Sequence, residues 1–271
     1  MRLNRFLALA GIASRRGAEA FIRDGRVSVN GKVCTAFSTQ IAPSDHVKVE
    51  GRPVRASEFV YILLNKPRDF LTTRADERSR RTIYELLPGR LPKLAHVGRL
   101  DKESEGLLLL TNDGELALRM THPRFKLEKE YLVTLNREFQ MADVPKVLKG
   151  VYLAEGRAKF DAVFKVNSQQ VRVILTQGIK RQVRRVFAAL EYNVNRLQRI
   201  RIGTLTDKGL RTGDVRFLSP EEVLSLKTAS AKVLKLARPR LRPARCKGSK
   251  VARGATPVGR SGLALAGPKF Y

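Results

Sequence analysis

Two short apolar runs, Phe59–Leu64 and Leu107–Leu110, limit the fold of this chain more than any other feature. Each is too short for an ordinary core helix and is flanked by polar residues, so both read as buried strands. The segments around them alternate in period. In "KEYLVTL", Lys129, Tyr131, Val133 and Leu135 share one face of a strand, and residues 170–176 and 193–202 read the same way. Residues 113–120, 140–149 and 180–190 carry helical spacing. The mixture predicts an α+β domain over residues 59–227, built on a large antiparallel or mixed sheet.

Residues 1–50 read as a separate small α/β module. Leu3, Phe6, Leu7 and Ala10 fall at i, i+3, i+4 and i+7, the stripe of a short helix that Gly11 stops. A second helix starts with Ser14 as its N-cap and buries Ala18, Phe21 and Ile22. In "RVSVNGKV", Asn30-Gly31 lies between alternating apolar residues and signals a tight hairpin. "GRPVRASE", residues 51–58, reads as a polar linker. At the other end, Leu226 to Tyr271 holds twelve basic residues and no acidic one. Residues 228–271 are therefore expected to be a disordered cationic tail that adds phosphate affinity.

Charge narrows the partners. With 53 Lys+Arg against 25 Asp+Glu, the formal net charge is +28. That excess exceeds what solubility needs and points to a polyanion, nucleic acid before membrane. Cys34 and Cys246 are too few and too far apart for a disulfide framework or a zinc site. The start, "MRLNRFLALAGIASRR", has too short an apolar core for a signal peptide. A reduced, soluble, cytoplasmic protein that acts as a monomer without touching membrane is the expectation. The three histidines show no metal spacing.

"LNRFLALAGIASRRGAEAFIRDGRVSVNGK" resembles the S4 RNA-binding domain over nearly its whole length. The resemblance makes Arg2, Arg15, Arg16, Arg26 and Lys32 candidate RNA contacts. Gly17, early in the second helix, departs from good helix chemistry.

The stretch "HVGRLDKESEGLLLLTNDGEL", residues 96–116, poses a chemical question. It sets a lone acid, Asp101, between Arg99 and Lys102, where the chain leaves a buried sheet. Such a place suits a rigidly held functional group, and a fixed, ionised aspartate can be a nucleophile. A half-buried carboxylate needs a cation or donors beside it. In "TQGIKRQVRRVFAALEY", Val183, Val186, Phe187 and Leu190 form a helical stripe. Arg181 and Arg185 lie opposite it, facing solvent or phosphate. Arg184 falls at its border, the arginine best placed to turn inward. Periodicity alone leaves open whether all three grip phosphate.

These motifs together resemble the RsuA-type family of bacterial ribosomal-RNA pseudouridine synthases over residues 2–225. "GRLDKESEG" is similar to the family's Gly-Arg-Leu-Asp motif, "KLEKEYLV" to its Lys-x-Tyr motif, and "QGIKRQVRR" to its C-terminal helix. Within the family, the motifs look closest to the RluF branch. The resemblance implies an S4 domain joined to a synthase domain. It implies that Asp101 attacks the target uridine, and that Tyr131 stacks on the flipped base and assists proton transfer at C5. It further implies that Arg184 salt-bridges Asp101, while Arg99 approaches the space the base leaves. Lys129 is the lysine two before the tyrosine. With Lys102, Arg181 and Arg185 it completes the candidate RNA contacts. "LLNKPRDFLTT" carries Asp69 where the family has glycine, and Ile179 stands where a basic residue is common.

The reaction so implied, uridine to pseudouridine, breaks N1–C1′ and joins C5 to C1′. It is an isomerisation, so no cofactor or metal is expected. The implied target is 23S ribosomal RNA, with 16S rRNA or a tRNA as alternatives. A non-catalytic S4-type assembly factor would not need Asp101, Tyr131 and Arg184 together. A methyltransferase would need a glycine-rich loop after a strand, which is not evident. A nuclease or glycosidase could use acids 101, 103 and 105, but Glu103 and Glu105 read as solvated loop residues.

Overall fold

A computed structural model describes residues 1–236; the cationic segment from 237 to 271 lies outside the described residues, and with it most of the tail expected to be disordered. The helix Pro220–Leu236 runs through position 228, where the tail was expected to start.

The N-terminal module forms as its pattern dictates. Helices Leu3–Leu9 and Arg15–Arg23 bury Leu3, Leu7, Ala18 and Ile22 against Val27, Val47 and Val49. Ser14 Oγ accepts from the Gly17 amide at 3.0 Å, the expected N-cap. A side chain at Gly17 would stand 3.3 Å from that hydroxyl and 3.2 Å from Ala13 Cβ. The glycine thus leaves room for the cap and for close approach of Ala13. Asn30 and Gly31 both take positive φ, 50° and 82°, and close a two-residue hairpin with Val29 opposite Lys32.

The connector departs from expectation. Glu50 and Gly51 make a second turn with positive φ, so Arg52–Val54 folds back on Val47–Val49 as a fourth strand. Pro53 is tolerated because that strand is an edge. The polar linker is correspondingly shorter than residues 51–58.

Beyond it lies a mostly antiparallel sheet of nine strands. Along its main path the order is Ala162–Lys165, Gln170–Leu175, Lys129–Leu135, Val194–Ile202, Glu105–Thr111, Tyr61–Lys66 and Val215–Phe217. The pair Glu105–Thr111 and Val194–Ile202 runs parallel, so the sheet is mixed. The two apolar runs occupy neighbouring strands buried on both faces. Leu63, Leu107 and Leu109 pack into one apolar cluster, and Ile62, Leu64, Leu108 and Leu110 into another. That double burial is why the sequence runs apolar without alternation.

The first strand begins two residues later than the apolar run and extends through Asn65 and Lys66, both buried. Asn65 Nδ2 donates to the Leu210 carbonyl at 2.7 Å, which satisfies one polar group inside the sheet. The second strand starts early, at Glu105 and Gly106. Gly106 has φ +102°, and a Cβ there would lie 2.2 Å from the Arg199 carbonyl oxygen. Only glycine lets the two parallel strands meet at this point. The meeting point is also where the chain emerges from the loop that carries Asp101.

Candidate active site

Asp101 stands on a loop fixed almost entirely through its backbone. The strand Ala95–Val97 leads into Gly98, which turns with φ +72° and whose carbonyl accepts from His96 Nδ1 at 2.9 Å. Leu100 is buried, and the Thr72 hydroxyl donates to its carbonyl at 2.8 Å. The Ser104 amide donates to the Asp101 carbonyl at 3.0 Å.

Beneath the loop lies Lys66, with no exposed surface. Its ammonium reaches four backbone carbonyls: Ser104 at 2.8 Å, Pro67 at 2.9 Å, Asp101 at 3.2 Å and Lys102 at 3.3 Å. Burial pulls its pKa down to about 8, against the opposing pull of Asp69, Asp101 and Glu105. Asp69 tightens the same corner: its amide donates to the Lys102 carbonyl at 2.9 Å, and its carboxylate lies 3.8 Å from Lys102 Nζ. Asp69 has φ +68°. That conformation explains the glycine usual here in the resembled family, and aspartate is among the residues that tolerate it.

The carboxylate of Asp101 opens on a cavity of about 310 Å³. Tyr131, Lys129, Arg99, Arg181 and Arg199 line it as well. Tyr131 and Lys129 are there because alternate residues of Lys129–Leu135 face the same way, as the sequence pattern indicated. Arg99 is exposed at the rim.

The arginine beside Asp101 is not the one expected. Arg184 does turn inward and is half-buried, but it bonds backbone: Nη1 donates to the Val194 carbonyl at 2.7 Å and Nη2 to that of Glu103 at 3.3 Å. No ion pair joins Arg184 to Asp101. Arg181 instead puts Nη1 3.8 Å from the Asp101 carboxylate and 2.8 Å from that of Glu103. The reason is the helix start. The helix is Gln182–Ala188, and Arg181 precedes it with φ +53°, outside the helical wheel that sets it toward solvent or phosphate. Its hydrogen bond holds the Glu103 carboxyl below its ordinary range. Arg185 pairs with Glu155 at 2.8 Å.

Glu105, expected to be a solvated loop acid, is instead a buried strand residue paired with Arg196 at 2.9 Å. Of the N-terminal cations, Arg2, Arg15, Arg16 and Lys32 are exposed. Arg26 stacks on Phe21 and pairs with Glu50. A larger cavity of about 760 Å³, lined by Arg2, Arg5, Arg15, Arg74 and Lys93, contains neither Asp101 nor Tyr131.

Two residues, Lys66 and Arg199, escaped the sequence reading as site groups, as did the Asp101 contact of Arg181. Arg199 had a signal, since alternation along "RLQRIRI" puts it on the buried Leu197 side. Because Arg184 holds the Asp101 loop at Glu103 and Arg181 meets the carboxylate, Arg184→Ala and Arg181→Ala are each expected to slow turnover about 10–100-fold. Arg185→Ala, which loses an exposed pair, should stay within about threefold. Equal losses in all three, measured as turnover on a common RNA, would show that they only grip phosphate.

Comparison with known proteins supplies the frame for this geometry. Residues 60–189 match the RNA pseudouridylate synthase family and residues 1–47 the S4 domain. An RNA pseudouridine synthase of Aquifex aeolicus is 39% identical over 84% of this chain and 96% of its own. The ribosomal large subunit pseudouridine synthase B of Bacillus subtilis is 37% identical over 83% of this chain and 95% of its own. A crystal structure of a pseudouridylate synthase superimposes with TM-score 0.61 at 32% identity, covering 83% of this chain and 99% of that one. The Bacillus subtilis relative carries the B designation, so the likeness to the RluF branch is not singled out. With a relative of this identity aligned across both the S4 and the synthase segments, the chain belongs to the RsuA-type RNA pseudouridine synthases, a family of isomerases.

Proposed function

We propose that this chain converts one uridine of large-subunit (23S) ribosomal RNA to pseudouridine, with Asp101 as the nucleophile. The observation that carries the reading is the Asp101 carboxylate on a backbone-clamped loop, opening on the cavity that Tyr131 also lines. The large-subunit target rests on relatives from Bacillus subtilis and Vibrio cholerae, both ribosomal large subunit pseudouridine synthase B.

The chemistry follows from these groups. A base inside a helix is out of reach of a carboxylate, so the uridine leaves its stack and enters the cavity. Tyr131 gives the flipped base an aromatic face to stack on. Asp101 adds either to the base or to C1′, the N1–C1′ bond breaks, and the base turns so that C5 faces the sugar. C5–C1′ then forms, Asp101 departs, and the C5 proton is lost; Tyr131 is the group beside it. Arg181 orients the carboxylate, and the walls limit water that would otherwise hydrolyse the sugar intermediate. Arg99 and Lys102, exposed around the loop, face the RNA backbone.

Mapping pseudouridines in ribosomal and transfer RNA from cells with and without the protein tests the proposal. One large-subunit site should vanish with the gene and return with the wild-type chain but not with Asp101→Asn. A lost site in tRNA or in the small subunit would overturn the target, and no lost site would overturn the activity.

A further inference from the structure

Two cations, Arg199 and Lys129, sit in the wall of the Asp101 cavity, and among the described residues neither is held in an ion pair. Arg199 is 3% exposed. Its Nε donates to the Leu107 carbonyl at 2.6 Å, and its Nη1 lies 3.5 Å from the Tyr131 hydroxyl. Its Nη2 is buried with no hydrogen-bond partner. The guanidinium carbon is 6.0 Å from the centre of the Tyr131 ring.

Lys129 shares the face of Tyr131, and its ammonium contacts the Leu127 carbonyl at 3.3 Å. Burial, aided by the nearby Arg199 charge, lowers its pKa to about 8. The acids flanking it in sequence are engaged elsewhere: Glu128 with Arg201 at 3.1 Å, Glu130 with Arg201 at 2.7 Å and Arg172 at 3.0 Å. Among the described residues, neither Arg199 nor Lys129 takes part in an ion pair.

A buried cation without an ion pair is unfavourable, and the nearby half-buried charge of Lys129 adds to that. Such a cost in a reaction cavity is offset when something electron-rich enters. We propose that Arg199 and Lys129 form an oxyanion subsite that receives the carbonyl oxygens of the flipped uracil and stabilises the negative charge the base acquires during reaction. The proposal rests on the pseudouridine synthase reading and adds to it the groups that bind the base.

The electron count requires such a site by either route. If Asp101 attacks C1′, the N1–C1′ bonding pair leaves with the base, whose anion spreads over N1, O2 and O4. If Asp101 adds at C6, the electron pair of the C5–C6 double bond moves to O4. In both cases C5 finally bonds to C1′ and gives up its proton, so no electrons are gained or lost overall. A base stacked on Tyr131 presents its oxygen-bearing edge to the groups beside that ring. Preorganised donors aimed at developing charge are the usual means of lowering such a barrier.

Single-turnover conversion of an unmodified 23S rRNA transcript by the full chain tests the proposal, with RNA affinity and thermal melting measured alongside. Arg199→Met and Lys129→Met should each slow conversion by about 10²–10³-fold, the usual loss for one such donor, while RNA affinity changes by less than about threefold. Arg199→Lys should recover part of the rate. The pH dependence separates charge stabilisation from packing. Lys129 is charged below about 8 and neutral above it. The ratio of wild-type to Lys129→Met rates should therefore be large at pH 7 and shrink as pH rises past 8.

Asp101, Arg99, Tyr131, Lys180, Arg181 and Arg199 face the same cavity, and Lys66 lies beneath the loop. All of them are present in both proteins, so the ratio isolates the contribution of Lys129. A ratio constant with pH, or a folded Arg199→Met with the wild-type rate, would overturn the subsite. If Arg199→Met does not fold, the Lys129 ratio decides alone. Failure of the wild-type chain to form any pseudouridine overturns instead the reading on which the subsite rests.

Discussion

Asp101→Asn is expected to fold, bind RNA as tightly as wild type, and form pseudouridine at least about ten-thousandfold more slowly, the scale on which enzymes lose rate when a nucleophile is removed. The neutral amide of asparagine is too weak a nucleophile to form the covalent bond, although it is nearly the same shape. The fold should survive because the loop does not depend on the carboxylate. Lys66 holds the Asp101 carbonyl, the Ser104 amide donates to that same carbonyl, and Thr72 holds Leu100. Arg181 is not left bare either, since its shorter contact is with Glu103 at 2.8 Å. The lost Asp101 contact is longer, at 3.8 Å, and half-exposed, so its stability cost is about 0–1 kcal/mol. Quantifying pseudouridine in single-turnover reactions, with melting and RNA binding as controls, checks all three statements. Substantial conversion by the purified variant would falsify the assignment of Asp101 as nucleophile.

The elements that were legible in the sequence are those whose pattern is local. Strand Lys129–Leu135 and helix Gly114–Thr121 with its Asp113 cap follow from period and capping chemistry alone. The Asn30-Gly31 hairpin follows from backbone preference. Asp101 and Tyr131 were placed by motif, and the sheet brings them to one cavity although 30 positions separate them. What was not legible depends on contacts made at long range. A helical wheel sets Arg181 toward solvent or phosphate because it presumes a helix already begun, yet the helix starts one residue later. Arg184 was assigned to Asp101, but two carbonyls compete for its guanidinium, one of them 81 positions away. Burial of Glu105 depended on the parallel strand that Gly106 admits, a pairing nothing in residues 96–116 announces.

Lys66 gave no periodic signal at all, and Lys66→Met is expected to have the largest effect on stability of any single change near the site. Methionine matches the length of the stem but removes the donors that four carbonyls share. Two of these retain another donor, the Ser104 amide for Asp101 and the Asp69 amide for Lys102. Those of Pro67 and Ser104 lose their closest side-chain contact, at 2.9 and 2.8 Å. Buried carbonyls left without a donor cost about 1–3 kcal/mol each, and removing the desolvated ammonium gives part of that back. A net loss of about 2–3 kcal/mol is expected near pH 7. Turnover should fall about a hundredfold or more, since a shift of about 1 Å in a reacting group is enough for that.

The effect of pH has a definite sign. The Lys66 pKa is about 8 when folded against an ordinary 10.5. Between those values the unfolded chain binds the proton more tightly, so the Lys66 contribution to stability increases as pH rises through that window. The stability gap between wild type and Lys66→Met should therefore widen from pH 8 to pH 10. Thermal melts across that range, paired with single-turnover rates at pH 7, measure both effects. A variant that melts with wild type at every pH and turns over normally would show that the Asp101 loop is held without its buried cation.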